Sequence, residues 1–156
     1  MRFKTLELKV PPLALTALVS AVMAGVEYAS EGTPVVVPSL AWAAGGAVAL
    51  SGLAIAYRGV SVFRRIRTTV DPLHPERSAR LVTAGVYCWT RNPMYLGFVL
   101  FLLGLAVALR SLVGFALTAF TAVFLQRFQI KPEERALSRR FGAAFDVYRG
   151  RVRRWI

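Results

Sequence analysis

Apolar residues fall into four long stretches that contain no Asp, Glu, Lys or Arg. The stretches hold 17, 26, 18 and 16 residues and cover 10–26, 32–57, 92–109 and 111–126. A helix of about 17 to 25 apolar residues crosses the roughly 30 Å hydrocarbon core of a bilayer. Three stretches reach that length alone, and the fourth continues through Phe128 and Ile130. The pattern therefore predicts about four transmembrane helices.

The third and fourth stretches meet at Arg110 and Ser111. This short polar break predicts a helical hairpin with a tight turn at Arg110. Small side chains let membrane helices approach closely. The small residues of this hairpin are Gly97, Gly104, Ala106, Ala108, Gly114, Ala116 and Ala119.

The C-terminal region has a different pattern, in which apolar residues recur every three or four positions. These residues are Leu137, Phe141, Phe145, Tyr148, Val152 and Trp155. An apolar helical face with basic residues elsewhere is typical of a helix that lies in the membrane interface. The predicted fold is therefore an all-α integral membrane bundle with a C-terminal interfacial amphipathic helix.

The charges then set the topology. The chain has 20 Lys and Arg against 8 Asp and Glu, a net charge of +12. The N-terminus, the 58–91 segment and the tail from Arg127 carry +2, +5 and +6, whereas the first loop, with Glu27 and Glu31, carries −2. Because basic loops stay in the cytoplasm, both termini are predicted there. The excess charge needs no nucleic acid to explain it, and the predicted partner is the lipid bilayer.

The single cysteine, Cys88, and the single histidine, His74, limit the chemistry. They exclude a disulfide framework and any metal site built from several histidines or cysteines. We therefore predict no metal.

One cytoplasmic segment has the composition of a binding site. Asn92 followed by Pro93 predicts a helix start, in which the asparagine caps and the proline takes the first helical position. The free N–H groups of such a start attract anions. Tyr87, Trp89 and Tyr95 lie around it, and aromatic faces suit a ligand cation. An ordinary cap inside an interfacial aromatic belt is the alternative.

A second segment contains two adjacent carboxylates. Glu133 and Glu134 follow Pro132 in a predicted first turn, where acidic side chains complement the helix dipole. Glu133 also lies where the fourth span leaves the membrane. A carboxylate at this place can accept hydrogen bonds from an ammonium group or from ribose hydroxyls. Helix capping alone is the alternative.

Together the two segments resemble the isoprenylcysteine carboxyl methyltransferase family, which is related to the phospholipid methyltransferases. The first motif, Arg-Asn-Pro-x-Tyr-x-Gly, begins at Arg91. The second, Glu-Glu-x-x-Leu-x-x-x-Phe-Gly-x-x-Phe-x-x-Tyr, begins about 40 residues later at Glu133. The resemblance covers 68–155, and the preceding 67–72 stretch, Arg-Thr-Thr-Val-Asp-Pro, looks like bacterial members of the family.

The resemblance implies a membrane enzyme that binds S-adenosylmethionine and takes a lipophilic small-molecule substrate from the bilayer. One domain, 1–156, would hold two N-terminal spans in 1–57 and a cofactor-binding core in 68–156. The implied cofactor contacts are Leu81, Val82, Tyr87, Asn92, Pro93, Met94, Tyr95 and Glu133. The implied substrate contacts are Arg91, Gln129 and Glu134. No residue is assigned as catalytic.

Two positions depart from the family pattern. Asn92 stands where the family usually has histidine, and an amide is no proton acceptor at neutral pH. Gln129 stands where the prenylcysteine enzymes have a substrate-binding arginine. These differences favour a small lipid or isoprenoid acid over a prenylated protein. A carboxylate acceptor is favoured because it needs no deprotonation.

Two other functions remain open from the sequence. A small four-helix transporter would use Glu27 as its coupling residue, since an acid in a membrane span is often functional. A nicotinamide-dependent membrane reductase would share the core fold. The excess of Arg over Lys hints at a GC-rich bacterium, so the expected location is a bacterial inner membrane.

Overall fold

The structure, a computed structural model, describes residues 6–30, 39–65 and 80–156. This part of the chain is helical and contains no strand. The helices are α1 (Pro12–Ser30), α2 (Ser39–Arg65), α3 (Pro93–Leu109), α4 (Leu112–Leu125), α5 (Lys131–Phe141) and α6 (Ala143–Arg151). A short 3₁₀ helix covers Gly85–Cys88, and a π-helical turn covers Gln126–Ile130.

The four predicted apolar helices are all present. Among the described residues, three are long and apolar enough to cross a membrane: Pro12–Ala29, Ser39–Arg65 and Leu112–Phe141. The remaining apolar helix, α3, has 17 residues, which gives it a length of about 26 Å. The all-α membrane fold predicted from the sequence is confirmed.

The last long helix extends beyond the bilayer core. It runs for 30 residues without a break from α4 through the π turn into α5, a length of about 45 Å. Because the hydrocarbon is only about 30 Å thick, this helix is about a third longer than a span needs. All of its charged residues lie in its last third or just before it, within 127–140.

The α2–α3 interface is built from small residues. One face of α2 buries a glycine or alanine at every third or fourth position, namely Gly45, Ala49, Gly52, Ala56 and Gly59. A Cβ on Gly52 would lie 2.6 Å from the carbonyl oxygen of Gly97. The backbones of the two helices are therefore in direct contact, as in other membrane helix pairs with small residues at the interface.

The predicted small residues of the hairpin serve different partners. Gly97 and Gly104 face α2, whereas Gly114 faces Met23 of α1. Ala116 and Ala119 lie on the exposed face of α4. Close packing within the hairpin itself therefore accounts for only part of this composition.

The hairpin turn lies where the sequence predicts it. Arg110 adopts a left-handed conformation with φ 54°, and its N–H donates to the carbonyls that end α3. Ser111 then caps α4, because its hydroxyl accepts a hydrogen bond from the Gly114 N–H at 3.0 Å. A side-chain oxygen that satisfies a free N–H is the usual way to start a helix.

The π turn is explained by Pro132. Proline has no N–H and its ring crowds the carbonyl four residues earlier, which here belongs to Phe128. The helix widens so that the Lys131 N–H donates to the Gln126 carbonyl. The Phe128 carbonyl instead accepts a hydrogen bond from the Leu8 N–H at 3.0 Å. The N-terminal segment is thereby attached to the point where the last span leaves the membrane.

The C-terminal amphipathic region forms two helices instead of one. Gly142, with φ 52°, separates α5 from α6. The predicted apolar stripe therefore changes direction there. Its Phe145 and Tyr148 are buried, while Trp155 lies beyond the end of α6.

Candidate functional site

The start of α3 is bonded to the C-terminal tail. Asn92 occupies the N-cap position and Pro93 the first turn, as predicted. The prediction that the Asn92 side chain caps α3 is wrong, however, because this side chain makes no capping hydrogen bond. Its amide nitrogen instead donates to the Arg154 carbonyl at 2.9 Å. The helix start therefore gives its side-chain hydrogen bond to the tail.

Further bonds align the tail with the segment before α3. The Arg91 N–H donates to the Arg153 carbonyl at 3.0 Å. The Thr90 hydroxyl donates to the Arg154 carbonyl at 3.3 Å. The Arg91 guanidinium also donates to the Val152 carbonyl at 3.0 Å. We call the assembly of 90–92, Glu134 and 152–155 the tail junction.

Glu134 lies at the centre of the tail junction. It is 2.9 Å from the Arg91 guanidinium, and their side chains are 13% and 9% exposed. Arg154 binds the same carboxylate through two nitrogens, at 3.1 and 2.6 Å. This bidentate bond raises the pKa of Arg154. The structure thus brings together Arg91 and Glu134, two of the predicted substrate contacts, as partners of each other.

Glu133, the neighbouring carboxylate, has a different environment. The Tyr95 hydroxyl of α3 donates to it at 3.1 Å. The pKa of Glu133 is raised to about 7, mainly by burial; the Tyr95 hydrogen bond lowers the pKa and the nearby Glu134 charge raises it. The carboxyl group is therefore near its midpoint of ionisation at neutral pH.

Tyr87, from the 3₁₀ helix, lies in the electrostatic field of Glu133. Its side chain is buried, and its hydroxyl has no hydrogen-bond partner in the described part of the chain. Burial raises the pKa of Tyr87, and the Glu133 charge adds to the effect. The ring packs edge-on against Phe63 of α2, with centroids 5.4 Å apart. A fixed, buried donor thus lies near a carboxylate and has no hydrogen-bond partner within 6–30, 39–65 and 80–156.

The remaining predicted cofactor contacts, Leu81, Val82, Pro93 and Met94, are apolar. Pro93 and Met94 pack against Gly59, so the start of α3 contacts α2 at this glycine. Val82 is buried, and Leu81 is partly buried. Trp89, in contrast, is 83% exposed. Leu81, Val82, Pro93 and Met94 therefore add apolar side chains, and no polar side chain, to the segment before α3 and to its first turn.

Gln129, a predicted substrate contact, serves the N-terminal segment. It is fully buried, and its amide nitrogen donates to the Val10 carbonyl at 2.6 Å. Its amide oxygen has no hydrogen-bond partner among the described residues. The residue thus holds the segment before α1 against the π turn.

Three residues of the site were missed from the sequence. Arg154 was one of several tail arginines with nothing to distinguish it. Tyr148 and Trp155 were assigned to an apolar stripe, yet each uses its polar atom. The Tyr148 hydroxyl donates to the Tyr87 carbonyl at 2.8 Å, and the Trp155 ring nitrogen donates to the Gln126 side chain at 2.8 Å. Aromatic residues with polar atoms in a buried stripe were the available signal.

Other predicted features lie elsewhere or outside the described residues. His74, Glu31 and the 67–72 stretch belong to the undescribed part. Glu27 is partly exposed near the end of α1. No group of three His, Cys, Asp or Glu side chains that could hold a metal occurs within 6–30, 39–65 and 80–156.

The model of the phospholipid methyltransferase family matches residues 40–144. The chain therefore belongs to this family, as its resemblance to the related methyltransferases predicted. No curated protein and no solved structure matches it significantly. With its long apolar helices, the protein is an integral membrane methyltransferase. Family membership favours this function over the transporter and reductase alternatives.

Proposed function

We propose that the protein transfers a methyl group from S-adenosylmethionine to a lipophilic acceptor. The observation that carries the proposal is the buried Tyr87 hydroxyl, which has no partner in the described chain and lies near the Tyr95–Glu133 pair. A buried donor without a partner is costly, because its lost hydration is not replaced. A bound ligand with polar groups would remove this cost.

The side chains present suit the polar groups of this cofactor. It carries an ammonium group, a carboxylate and two ribose hydroxyls. Ionised Glu133 can accept hydrogen bonds from the ammonium or the hydroxyls, and Tyr87 can donate to an oxygen. The first N–H groups of α3 favour the carboxylate. Leu81, Val82, Pro93 and Met94 supply the apolar surroundings. Asn92 contributes by holding the tail that borders the site.

The cofactor, when bound, supplies a methyl group that is already activated on its sulfonium. The protein then has to hold donor and acceptor in line and exclude water. Tyr95 orients Glu133, and Tyr148 fixes the backbone of Tyr87. The tail junction, through Arg91 and Glu134, holds the two sides of the site together. Proximity accounts for most of the catalysis in this proposal.

A carboxylate on a small lipid or isoprenoid is the favoured acceptor. A carboxylate attacks without losing a proton, whereas an ammonium headgroup must first lose one. The residues around Tyr87 and Tyr95 include no histidine in the described chain, since His74 lies outside it. The second candidate is an amine-bearing phospholipid, which the family description favours.

We also propose that the site and both termini face the cytoplasm of a bacterium. The central segment and the tail carry most of the net charge of +12. Basic segments are retained on the cytoplasmic side of the membrane, where S-adenosylmethionine is available.

The cofactor assignment is tested by isothermal titration of the purified protein with S-adenosylhomocysteine and, separately, with NADPH. Saturable binding of S-adenosylhomocysteine alone is expected. Glu133→Gln and Tyr87→Phe should weaken it by about tenfold each, the usual cost of losing a hydrogen bond to a charged or buried partner. Trp89→Phe, in the same segment but exposed, is the control. Saturable binding of NADPH without S-adenosylhomocysteine would overturn the proposal.

The acceptor is tested by supplying membranes with methyl-labelled S-adenosylmethionine. Alkali-labile label in the lipid fraction is expected for a methyl ester. Alkali-stable label in a phospholipid headgroup would replace the carboxylate with an amine acceptor. Label confined to protein would contradict a small lipophilic substrate.

A further inference from the structure

The π turn and the outer face of α5 together carry a row of basic side chains. Arg127, Lys131, Arg135 and Arg139 follow one another at intervals of four residues, and all four are exposed. Residues four apart lie above one another on a helix. The row starts where the uncharged 111–126 stretch ends, since Arg127 is the first charged residue after it.

This row is separate from the proposed methyl-transfer site. At about 100° per residue, Glu133 points about 160° away from the middle of the 131–139 row. Glu133 also pairs inward with Tyr95 of α3. Glu133 and the basic row therefore lie on opposite faces of α5.

Most of the charge in the row is not neutralised. Glu7 pairs with Arg127 and Arg135. Within the described ranges, Lys131 and Arg139 have no ion pair. Four positive charges against one carboxylate leave a net charge of +3 on one helix face. Such a surface attracts a group with negative charge.

Two grooves give the row a shape that can hold a ligand. One groove, of about 460 Å³, lies between α5 and the tail and is bordered by Lys131, Arg139 and Arg154, and also by the Glu134 carboxylate that Arg154 binds. The other, of about 800 Å³, lies between α5 and the N-terminal segment and is bordered by Arg127 and Arg139. Arg135 borders both. Phosphate oxygens suit arginine because several N–H groups can bind them together.

We propose that this basic row binds the phosphate headgroup of an anionic phospholipid as a site distinct from the methyl-transfer site. Its position at the hydrocarbon boundary places the arginines at headgroup depth, where a bilayer lipid can reach them with its chains still in the core. The guanidinium of Arg127 stacks on the Phe128 ring at 5.6 Å. Charge and location thus match a lipid better than a ligand from solution.

Titration of the purified full-length protein tests this proposal, with its melting temperature as the readout. The three probes are short-chain phosphatidylglycerol, short-chain phosphatidylcholine and inorganic phosphate. Phosphatidylglycerol should stabilise saturably and at lower concentration than the other two. Equal effects of the two lipids, or saturation by inorganic phosphate at the same concentration, would overturn the assignment to an anionic lipid.

A pair of double variants locates the site. Lys131→Gln with Arg139→Gln should raise the half-saturating lipid concentration about 25-fold, since each basic residue near an anionic surface contributes about fivefold. Arg64→Gln with Arg65→Gln removes the same charge from the exposed end of α2 and should change little. Equal weakening by both pairs would show a general charge effect and reject the site. None of these measurements depends on methyl transfer.

Discussion

The α2–α3 interface and the tail junction join their parts by opposite means. In the first, glycines and alanines let two backbones touch, and a single added carbon meets a carbonyl oxygen. In the second, Glu134 and its two arginines join three segments through directional polar bonds. The comparison shows that one interface depends on shape alone, whereas the other depends on charge. A substitution that adds volume should therefore weaken the α2–α3 interface, and a substitution that removes charge should weaken the tail junction.

The largest effect is expected from added volume at α2–α3. Gly52→Ala places a carbon 2.6 Å from the Gly97 carbonyl oxygen, which the helices can relieve only by separating. We expect a loss of about 3 kcal/mol, the upper end for overpacking, measured by unfolding in detergent. Gly46→Ala, on the same helix with open space around it, is the control and should be neutral or stabilising. Equal losses in the two variants would contradict backbone contact.

The next effect is expected from removing charge at the tail junction. Glu134→Gln keeps the volume but leaves Arg91 and Arg154 without a counter-charge. A loss of about 2 kcal/mol is expected, less than for a fully buried pair because Arg154 is partly exposed.

Asp146→Asn is the matched control for that change. Its pair with Arg149 is more than half exposed on both sides and should contribute under about 0.5 kcal/mol. If the two substitutions cost the same, the tail junction would have no special role in stability.

A pH effect of intermediate size is expected at Glu133. With a pKa of about 7, the carboxyl becomes mostly ionised between pH 6 and 8, so affinity for S-adenosylhomocysteine should rise about tenfold across this range. Without ligand, the free energy of unfolding should change in the opposite direction. The stabilisation from neutral Glu133 is fully present below the unfolded pKa of 4.5 and is lost as the pH rises through the folded pKa of about 7. Both slopes should vanish in Glu133→Gln, and titration calorimetry and thermal melts measure them. A persistent slope would assign the proton to another group.

The smallest effect is expected at Tyr148. Its hydroxyl donates to the Tyr87 carbonyl, and burial raises the pKa of Tyr148, so it stays a donor at neutral pH. Tyr148→Phe should cost about 1 kcal/mol, with exposed Tyr57→Phe as the control. If Tyr148 contributes only to stability, the affinity of Tyr148→Phe for S-adenosylhomocysteine will be unchanged. A weaker affinity would show that Tyr148 also positions Tyr87.

The helices and the hairpin could be predicted because they depend on local sequence. Uncharged stretches give the spans, and Arg110 with Ser111 gives the turn. The pairing of α2 with α3 was not predicted, although Gly45, Gly52 and Gly59 recur every seven residues on one face of α2. Small residues show that a helix packs closely but do not name its partner.

The candidate site was predicted in part. The two motifs indicated Tyr95 and Glu133, which the structure joins by a hydrogen bond. The tail junction was not predicted, because only the fold shows which of the several tail arginines binds Glu134. Asn92 was expected to cap its own helix, but its side-chain amide donates to the carbonyl of Arg154, which is distant in the sequence. Long-range partners of this kind have no signature in local spacing.

The π turn at Gln126–Ile130 has a consequence for how this segment can change over evolution. It contains one more residue than a regular helical turn would need. Deleting that one residue would return the turn to regular helical geometry and keep Glu133 facing Tyr95, but it would press the Pro132 ring against a carbonyl of the preceding turn. A second deletion would have no spare residue to remove, so it would rotate everything downstream by about 100° and turn Glu133 away from Tyr95. The segment between Leu125 and Glu133 should therefore tolerate the loss of one residue but not of two.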